Sequence, residues 1–250
     1  MTDLILQKIN KILDLGIPKV IVTVSIDGPK NIHDSIRGIK NSYSKAIETF
    51  AELNKLSKDR KNLNVFIALT LSPINIGNIK KTYQSIKRYV KIKPDDIHIN
   101  LFHFSEHYYS NLGLKFKNYS KYENNLIKEI EKFKKMRNRN YTNNIKFITH
   151  SYLNFSKRFI ENHKTPIRCK AINVSLFIDP FGNVFPCTIF NRKIGNIRNN
   201  NYSLKKILNY SFTKKVKEEI KKLDCPNCCS PCETNQMILS NILRHSSINF

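Results

Sequence analysis

The chain has 250 residues, 40% of them hydrophobic and 10% aromatic, which is enough to bury the core of one large domain or of one and a half ordinary ones. Its 43 Lys and Arg residues outnumber its 19 Asp and Glu residues, so the formal net charge is +24. No apolar run approaches the roughly 18 residues of a membrane span, and the first ten residues lack the pattern of a secretory signal. These features argue against an integral membrane, secreted or disordered protein. They favour a cytoplasmic protein without a membrane partner.

The positive charge by itself suggests a nucleic-acid partner, because Lys and Arg neutralise phosphates. The basic residues are, however, spread along the whole chain together with abundant Ile and Asn. Lys, Ile and Asn are the residues of A/T-rich codons, so base composition alone explains the bias. We therefore regard nucleic acid as an unlikely partner.

The first two thirds of the chain alternate between helical and strand patterns, beginning with apolar residues on one helical face. This order is typical of a parallel α/β sheet with crossover helices. The predicted elements are a helix that ends near Gly16, a strand over 20–26, a loop over 27–41, a helix over 42–56, a strand over 64–72, a helix over 78–90, a strand over 96–104, and helices over 120–137 and 145–162.

The pattern changes near Pro166. Short strands over 174–178 and 183–185 surround a turn that contains Pro and Gly, and a basic helix over 203–222 precedes a cysteine-rich tail. The sequence therefore predicts two domains. Residues 1–165 form the α/β part, and residues 166–250 form a small α+β part.

All six cysteines lie in the last third of the chain. Two of them bracket the predicted hairpin, and four follow in the segment CPNCCSPC at 225–232. In a reducing compartment such a cluster is more typical of a metal site than of disulfides. The spacing does not separate zinc from an iron–sulfur cluster, and taken alone it leans slightly to zinc.

The hairpin segment CKAINVSLFIDPFGNVFPC resembles the opening of the SPASM and twitch domains of radical SAM proteins. Cys169, twelve residues, Gly182, four residues and Cys187 fit the family's signature, and IGNIRNNNYSLKKIL is similar to the segment that follows it. The tail is shorter than in full SPASM domains. The resemblance thus implies one auxiliary 4Fe-4S cluster, as in the twitch variant.

The same resemblance implies the cluster ligands. Cys169 and Cys187 are the firmest, two more come from among the other tail cysteines, and Cys229 is the least favoured. The candidate metal ligands are Cys169, Cys187, Cys225, Cys228 and Cys232.

The segment IVTVSIDGPKNIHDSIRG resembles the fourth strand and following loop of the radical SAM barrel. By that likeness Ser25 would hydrogen-bond the ribose of S-adenosylmethionine, and Arg37 would pair with its carboxylate. Asp27, His33 and Asp34 would order the loop. Without the resemblance, Ser25 simply ends a strand and Arg37 is a surface residue.

No cysteine precedes Cys169, so the Cys-x3-Cys-x2-Cys motif that binds the SAM-cleaving cluster is missing from this sequence. The family's GGEP segment is missing as well. The expected fold class is therefore α/β, namely the second half of a (β/α) radical SAM barrel followed by a SPASM/twitch domain. The opening helix would then follow the third barrel strand.

The expected function is that of a fragment or split form of a radical SAM enzyme. Its intact form would cleave S-adenosylmethionine reductively and modify a peptide or small molecule, and a separate N-terminal half would be its partner. The catalytic residues are not predicted. Two alternatives stay open, a non-catalytic iron–sulfur or peptide-binding accessory subunit and a basic zinc protein that contacts RNA.

Overall fold

The structure, a computed structural model, describes residues 1–114, 120–137 and 144–245. The chain divides into two compact units, and each unit is built from two separate stretches of the sequence. The first unit comprises Met1–Asn100 and Ser120–Tyr141, and the second comprises Leu101–Tyr119 and Thr142–Phe250. The sequence predicts a boundary between the α/β domain and the small cysteine-rich domain at 165/166, and that boundary stays a prediction. The last five residues of the predicted C-terminal domain lie outside the described residues.

The first unit alternates helices and strands, as the sequence predicts. The pattern of apolar residues therefore located each of its longer elements. These elements are α1 (Thr2–Leu13), β1 (Val20–Ser25), α2 (Lys30–Arg37), α3 (Ser42–Asp59), β2 (Leu63–Leu71), α4 (Ile79–Lys87), a 3-10 turn (Pro94–Asp96), β3 (Ile97–Leu101) and α5 (Ser120–Met136).

The three strands form one sheet in the order β1-β2-β3. β1 runs parallel to β2, with Val20 opposite Leu63 and Ser25 opposite Ala68. β2 alternates buried and partly buried side chains over its second half, and α3 covers it with apolar residues such as Phe50. The predicted α/β class is thus confirmed. The assignment of this sheet to a radical SAM barrel stays a prediction.

One helix was missed, because the predicted loop over 27–41 contains α2. Pro29 precedes this helix, and Gly38 ends it with a left-handed φ of 64°. Eight residues are too few for a sustained apolar period, so the helical pattern is not evident in the sequence. Its flanking Pro and Gly are the signal that was available.

The second unit combines a small antiparallel sheet with helices. β5 pairs with β4 on one side and with β6 on the other. Its elements are α6 (Asn144–Asn162), β4 (Phe177–Ile178), β5 (Asn183–Phe185), β6 (Gly195–Asn196), a 3-10 turn (Arg198–Asn200), α7 (Leu204–Asn209), α8 (Ser211–Lys221) and α9 (Pro231–His245). α6 packs against α9.

The predicted basic helix over 203–222 is in fact two helices. The chain becomes extended at Tyr210, with φ −59° and ψ 142°, between α7 and α8. Asn, Tyr and Ser stand together at this point and have low helix propensity. Thr213 then donates a hydrogen bond of 2.7 Å to the carbonyl of Ile207, which fixes the change of direction. No helix in the described ranges is long and apolar enough to cross a membrane.

Candidate metal centre

Four cysteine thiols line one small cavity in the second unit. They come from three places in the chain, namely Cys169 before the hairpin, Cys187 just after β5, and Cys225 and Cys228 in the segment before α9. Glu233 lines the same cavity. Apolar side chains, among them those of Ala171, Ile189, Phe190 and Ile220, make up most of the remaining wall.

The hairpin between the first two cysteines is fixed by its turn. Asp179 accepts hydrogen bonds at its Oδ1 from the backbone N–H groups of Phe181 and Asn183, at 2.9 and 2.8 Å. Gly182 adopts a φ of 84°, which side chains other than glycine tolerate poorly. The turn thereby returns the chain so that Cys169 and Cys187, eighteen positions apart in the sequence, reach one cavity.

Backbone amides point at the sulfur atoms. Ala171 donates its N–H to Cys169 Sγ at 3.5 Å, and Ile189 and Phe190 donate to Cys187 Sγ at 3.5 and 3.2 Å. Such N–H···S bonds favour the thiolate and tune iron–sulfur clusters. The amides are therefore arranged for sulfur atoms that carry negative charge.

Burial makes these thiols weak acids in the absence of a cation. Desolvation raises the pKa of Cys169 to about 11 and that of Cys187 to about 12, and it raises the pKa of Cys228 well above its usual value. A coordinated metal deprotonates such thiols, and its binding releases protons. The cavity thus suits a cationic metal group.

The two remaining cysteines do not line the cavity. Cys229 is fully buried, and its sulfur lies 3.9 Å from Ser156 Oγ and accepts a hydrogen bond from Thr234 Oγ1 at 3.6 Å. Cys232 is exposed. Of the five predicted ligands the structure therefore brings four together and leaves Cys232 apart, while their role as ligands stays a prediction.

No three His, Cys, Asp or Glu side chains within residues 1–114, 120–137 and 144–245 converge closely enough for one metal ion. A zinc ion with thiolates at about 2.3 Å would need sulfurs roughly 3.8 Å apart. A four-iron cluster binds each cysteine to a different iron, so its thiolates stand farther apart. Four thiolates are the donor set of both groups, so the residues present fit a zinc ion or a four-iron cluster.

A short segment after β3 holds the loop that carries Cys187. Ser105 Oγ donates to the carbonyl of Thr188 at 2.6 Å, and Asn191 donates to Glu106 at 2.6 Å. His107 Nε2 donates to the Cys187 carbonyl at 3.0 Å. These contacts span 80 residues or more, and nothing local in the sequence pointed to them.

The imidazole of His107 also stacks on the ring of Phe185, with 4.4 Å between their centres. Phe185 belongs to β5, two residues before Cys187. The histidine therefore fixes the backbone of Cys187 by a hydrogen bond and the strand before it by ring contact.

The two residues predicted to contact S-adenosylmethionine lie in the first unit. Ser25 is exposed at the end of β1 and lines an apolar groove formed by β1, α1 and α3. Arg37 does not line this groove and donates instead to Asp27 Oδ2 at 2.5 Å. The buried carboxylate of Asp27 also accepts the N–H of Thr70 at 3.0 Å. The predicted roles of Ser25 and Arg37 stay predictions.

The polar residues expected to order the following loop do so. His33 Nδ1 accepts the N–H of Asp27 at 3.0 Å. Asp34 accepts the N–H groups of Asn41 and Tyr43, at 3.0 and 2.7 Å, and thereby satisfies donors at the start of α3. Hydrogen bonding from Tyr43 is the main reason that the pKa of Asp34 is lowered.

Comparison with known families agrees with the geometry of the second unit. No curated protein matches the chain. Residues 169–246 match the model of SPASM, an iron-sulfur cluster-binding domain. This segment contains all four cysteines of the cavity. The last third of the chain is therefore similar to the iron–sulfur cluster-binding domain SPASM.

Proposed function

We propose that the chain binds one auxiliary 4Fe-4S cluster through Cys169, Cys187, Cys225 and Cys228. The observation that carries the proposal is that these four thiols, and neither of the other two, line a single cavity within the SPASM segment. When bound, such a cluster supplies one-electron transfer. Cys232 is thereby set aside as a ligand.

The residues around the cavity hold and shield the group. The amides of Ala171, Ile189 and Phe190 donate to sulfur, which stabilises the thiolates. The apolar wall restricts water, which strengthens those bonds. His107 and Ser105 fix the loop of Cys187 from outside the cavity.

Metal analysis after anaerobic reconstitution with iron and sulfide tests this proposal. We expect about four iron and four sulfide per chain in the wild type. Cys187→Ser should lose most of this content, while the matched control Cys232→Ser should retain it. One zinc without sulfide, or equal losses in both variants, would contradict the assignment.

We further propose that the chain works within a radical SAM system in the cytoplasm, with a separate N-terminal half as its partner. The intact assembly would cleave S-adenosylmethionine reductively and modify a peptide or small molecule. The parallel sheet supports this extension, because ligands bind at the carboxyl ends of such strands, where Ser25 lies exposed. Arg37 would reach the ligand with the guanidinium donors that Asp27 does not use.

Calorimetric titration with S-adenosylmethionine tests the extension separately. Ser25→Ala should weaken binding about tenfold, the loss of roughly one hydrogen bond. Thr23→Ala is the matched control, since Thr23 is also exposed on β1 and lines the same groove. Equal affinity in both variants would contradict the extension without affecting the cluster assignment.

A further inference from the structure

Glu233 is a buried acidic residue that is not one of the four proposed cluster ligands. Its side chain is 4% exposed and lines the cavity together with the four cysteines. Ser175 Oγ donates to its Oε2 at 2.5 Å. A carboxylate is costly to bury, so its place beside four sulfur atoms requires an explanation.

Helix capping does not explain this position. Glu233 stands at the third residue of α9, after Ser230, Pro231 and Cys232, and this order matches a capping box. In a capping box the glutamate side chain accepts a hydrogen bond from the backbone N–H of the residue before the helix. Here Glu233 accepts from Ser175 instead, and Ser230 Oγ is buried without a hydrogen-bond partner in the described part of the chain.

Burial raises the pKa of this carboxyl group, and the hydrogen bond from Ser175 opposes that rise. A hydrogen bond of 2.5 Å from a hydroxyl group is typical of an ionised acceptor. Glu233 also lies in the first turn of a helix of 15 residues, where the helix dipole stabilises negative charge. The hydrogen bond and the helix dipole thus offset part of the cost of burying a negative charge next to the position of the cluster.

We propose that Glu233 lowers the reduction potential of the cluster, an inference that rests on the cluster assignment above. Reduction adds one electron to the cluster from an external donor, and the buried carboxylate disfavours that added charge. Charges interact strongly where water is excluded, and the net charge around a cluster is one of the factors that set its potential. Ser175 is the positioning residue that keeps the carboxylate directed into the cavity.

A redox titration of the full chain, reconstituted with iron and sulfide, tests the inference. The reduced cluster is followed by electron paramagnetic resonance while dithionite adjusts the potential. At a fixed potential, Glu233→Gln should raise the ratio of reduced to oxidised cluster about tenfold, a positive shift of about 59 mV for one electron. Glu233→Asp keeps the charge and should stay within about threefold of the wild type. Glu218→Gln removes an exposed carboxylate of α8 and should change nothing.

Iron and sulfide content is measured first in every variant. A wild type without a cluster would overturn the cluster assignment itself, and this inference with it. An intact cluster with an unchanged ratio in Glu233→Gln would overturn only the role of Glu233. Loss of the cluster in Glu233→Gln would also overturn it, since the residue would then be a ligand or a structural requirement. Equal shifts in the Gln and Asp variants would show that charge is not the cause.

Discussion

The two units of this chain are stabilised in different ways. The first has strands of five to nine residues, and its buried side chains are mostly aliphatic or aromatic. The second has strands of two or three residues, and its hydrophobic cluster includes the thiols of Cys187 and Cys228. The core of the first unit is thus built from aliphatic and aromatic side chains, whereas the second unit surrounds a cavity lined by four cysteines.

The polar groups of the two units differ in the same way. In the first unit the buried carboxylate of Asp27 is paired with Arg37 and with the N–H of Thr70. In the second unit burial raises the pKa of the cavity thiols, and they would become charged only on binding a cation. We infer that the first unit is stable without a ligand and that the stability of the second depends on its metal group.

Removal of iron should produce the largest effect. With a chelator present, hydrogen exchange of the hairpin amides over 177–185 should approach the rate of an unfolded chain, because cluster binding is part of the folding free energy. The amides of β2 (Leu63–Leu71) should stay protected. Equal loss of protection in both units would contradict the comparison.

Phe50→Ala should act in the first unit alone. Phe50 is 1% exposed in α3, and truncation of a buried phenylalanine costs about 3–5 kcal/mol. We expect the loss of stability in denaturant unfolding of the first unit, with iron content unchanged. A variant that folds but binds much less iron would show that the units depend on each other.

His107→Phe should weaken the cluster site without unfolding the unit. Phenylalanine keeps the ring contact with Phe185 and removes the hydrogen bond to the Cys187 carbonyl. Loss of such an outer contact costs roughly 10–100-fold in metal affinity. Iron release to a chelator should accelerate accordingly. Tyr108→Phe, which keeps its ring against Phe177, is the control and should release iron at the wild-type rate.

Gly182→Ala should have the smallest effect. A left-handed φ costs an L residue about 1–2 kcal/mol, and an added Cβ would lie 3.0 Å from Arg198 Cγ. Gly16→Ala is the matched variant in the first unit, since its φ is 73° and nothing lies within 4 Å. Each substitution should lower the stability of its own unit, and Gly182→Ala should lower it more. The reverse order would contradict this prediction.

Much of the fold follows from local pattern. The apolar residues of 20–26 and 64–72 predicted β1 and β2 to within a residue at each end. These strands are recognisable because their β-branched and aliphatic residues favour extended, buried backbone. α2 and the break at Tyr210 were missed, since short helices depend on their ends and on tertiary contacts more than on period.

The sequence by itself determined the class of the site. Cysteine spacing, the turn glycine Gly182 and the Pro-Gly hairpin are local features, and they indicated metal binding and the resemblance to SPASM domains. Local spacing left the choice among Cys225, Cys228 and Cys232 open, because each lies close enough in the chain to reach the same centre.

Only the tertiary structure decided which of these thiols share a cavity. It directs Cys228 into that cavity and leaves Cys232 exposed at the start of α9. It also brings Glu233 beside the thiols and His107 against the backbone of Cys187. These relations join residues far apart in the chain. They depend on how helices and turns pack, and the spacing of residues within a short segment does not predict that packing.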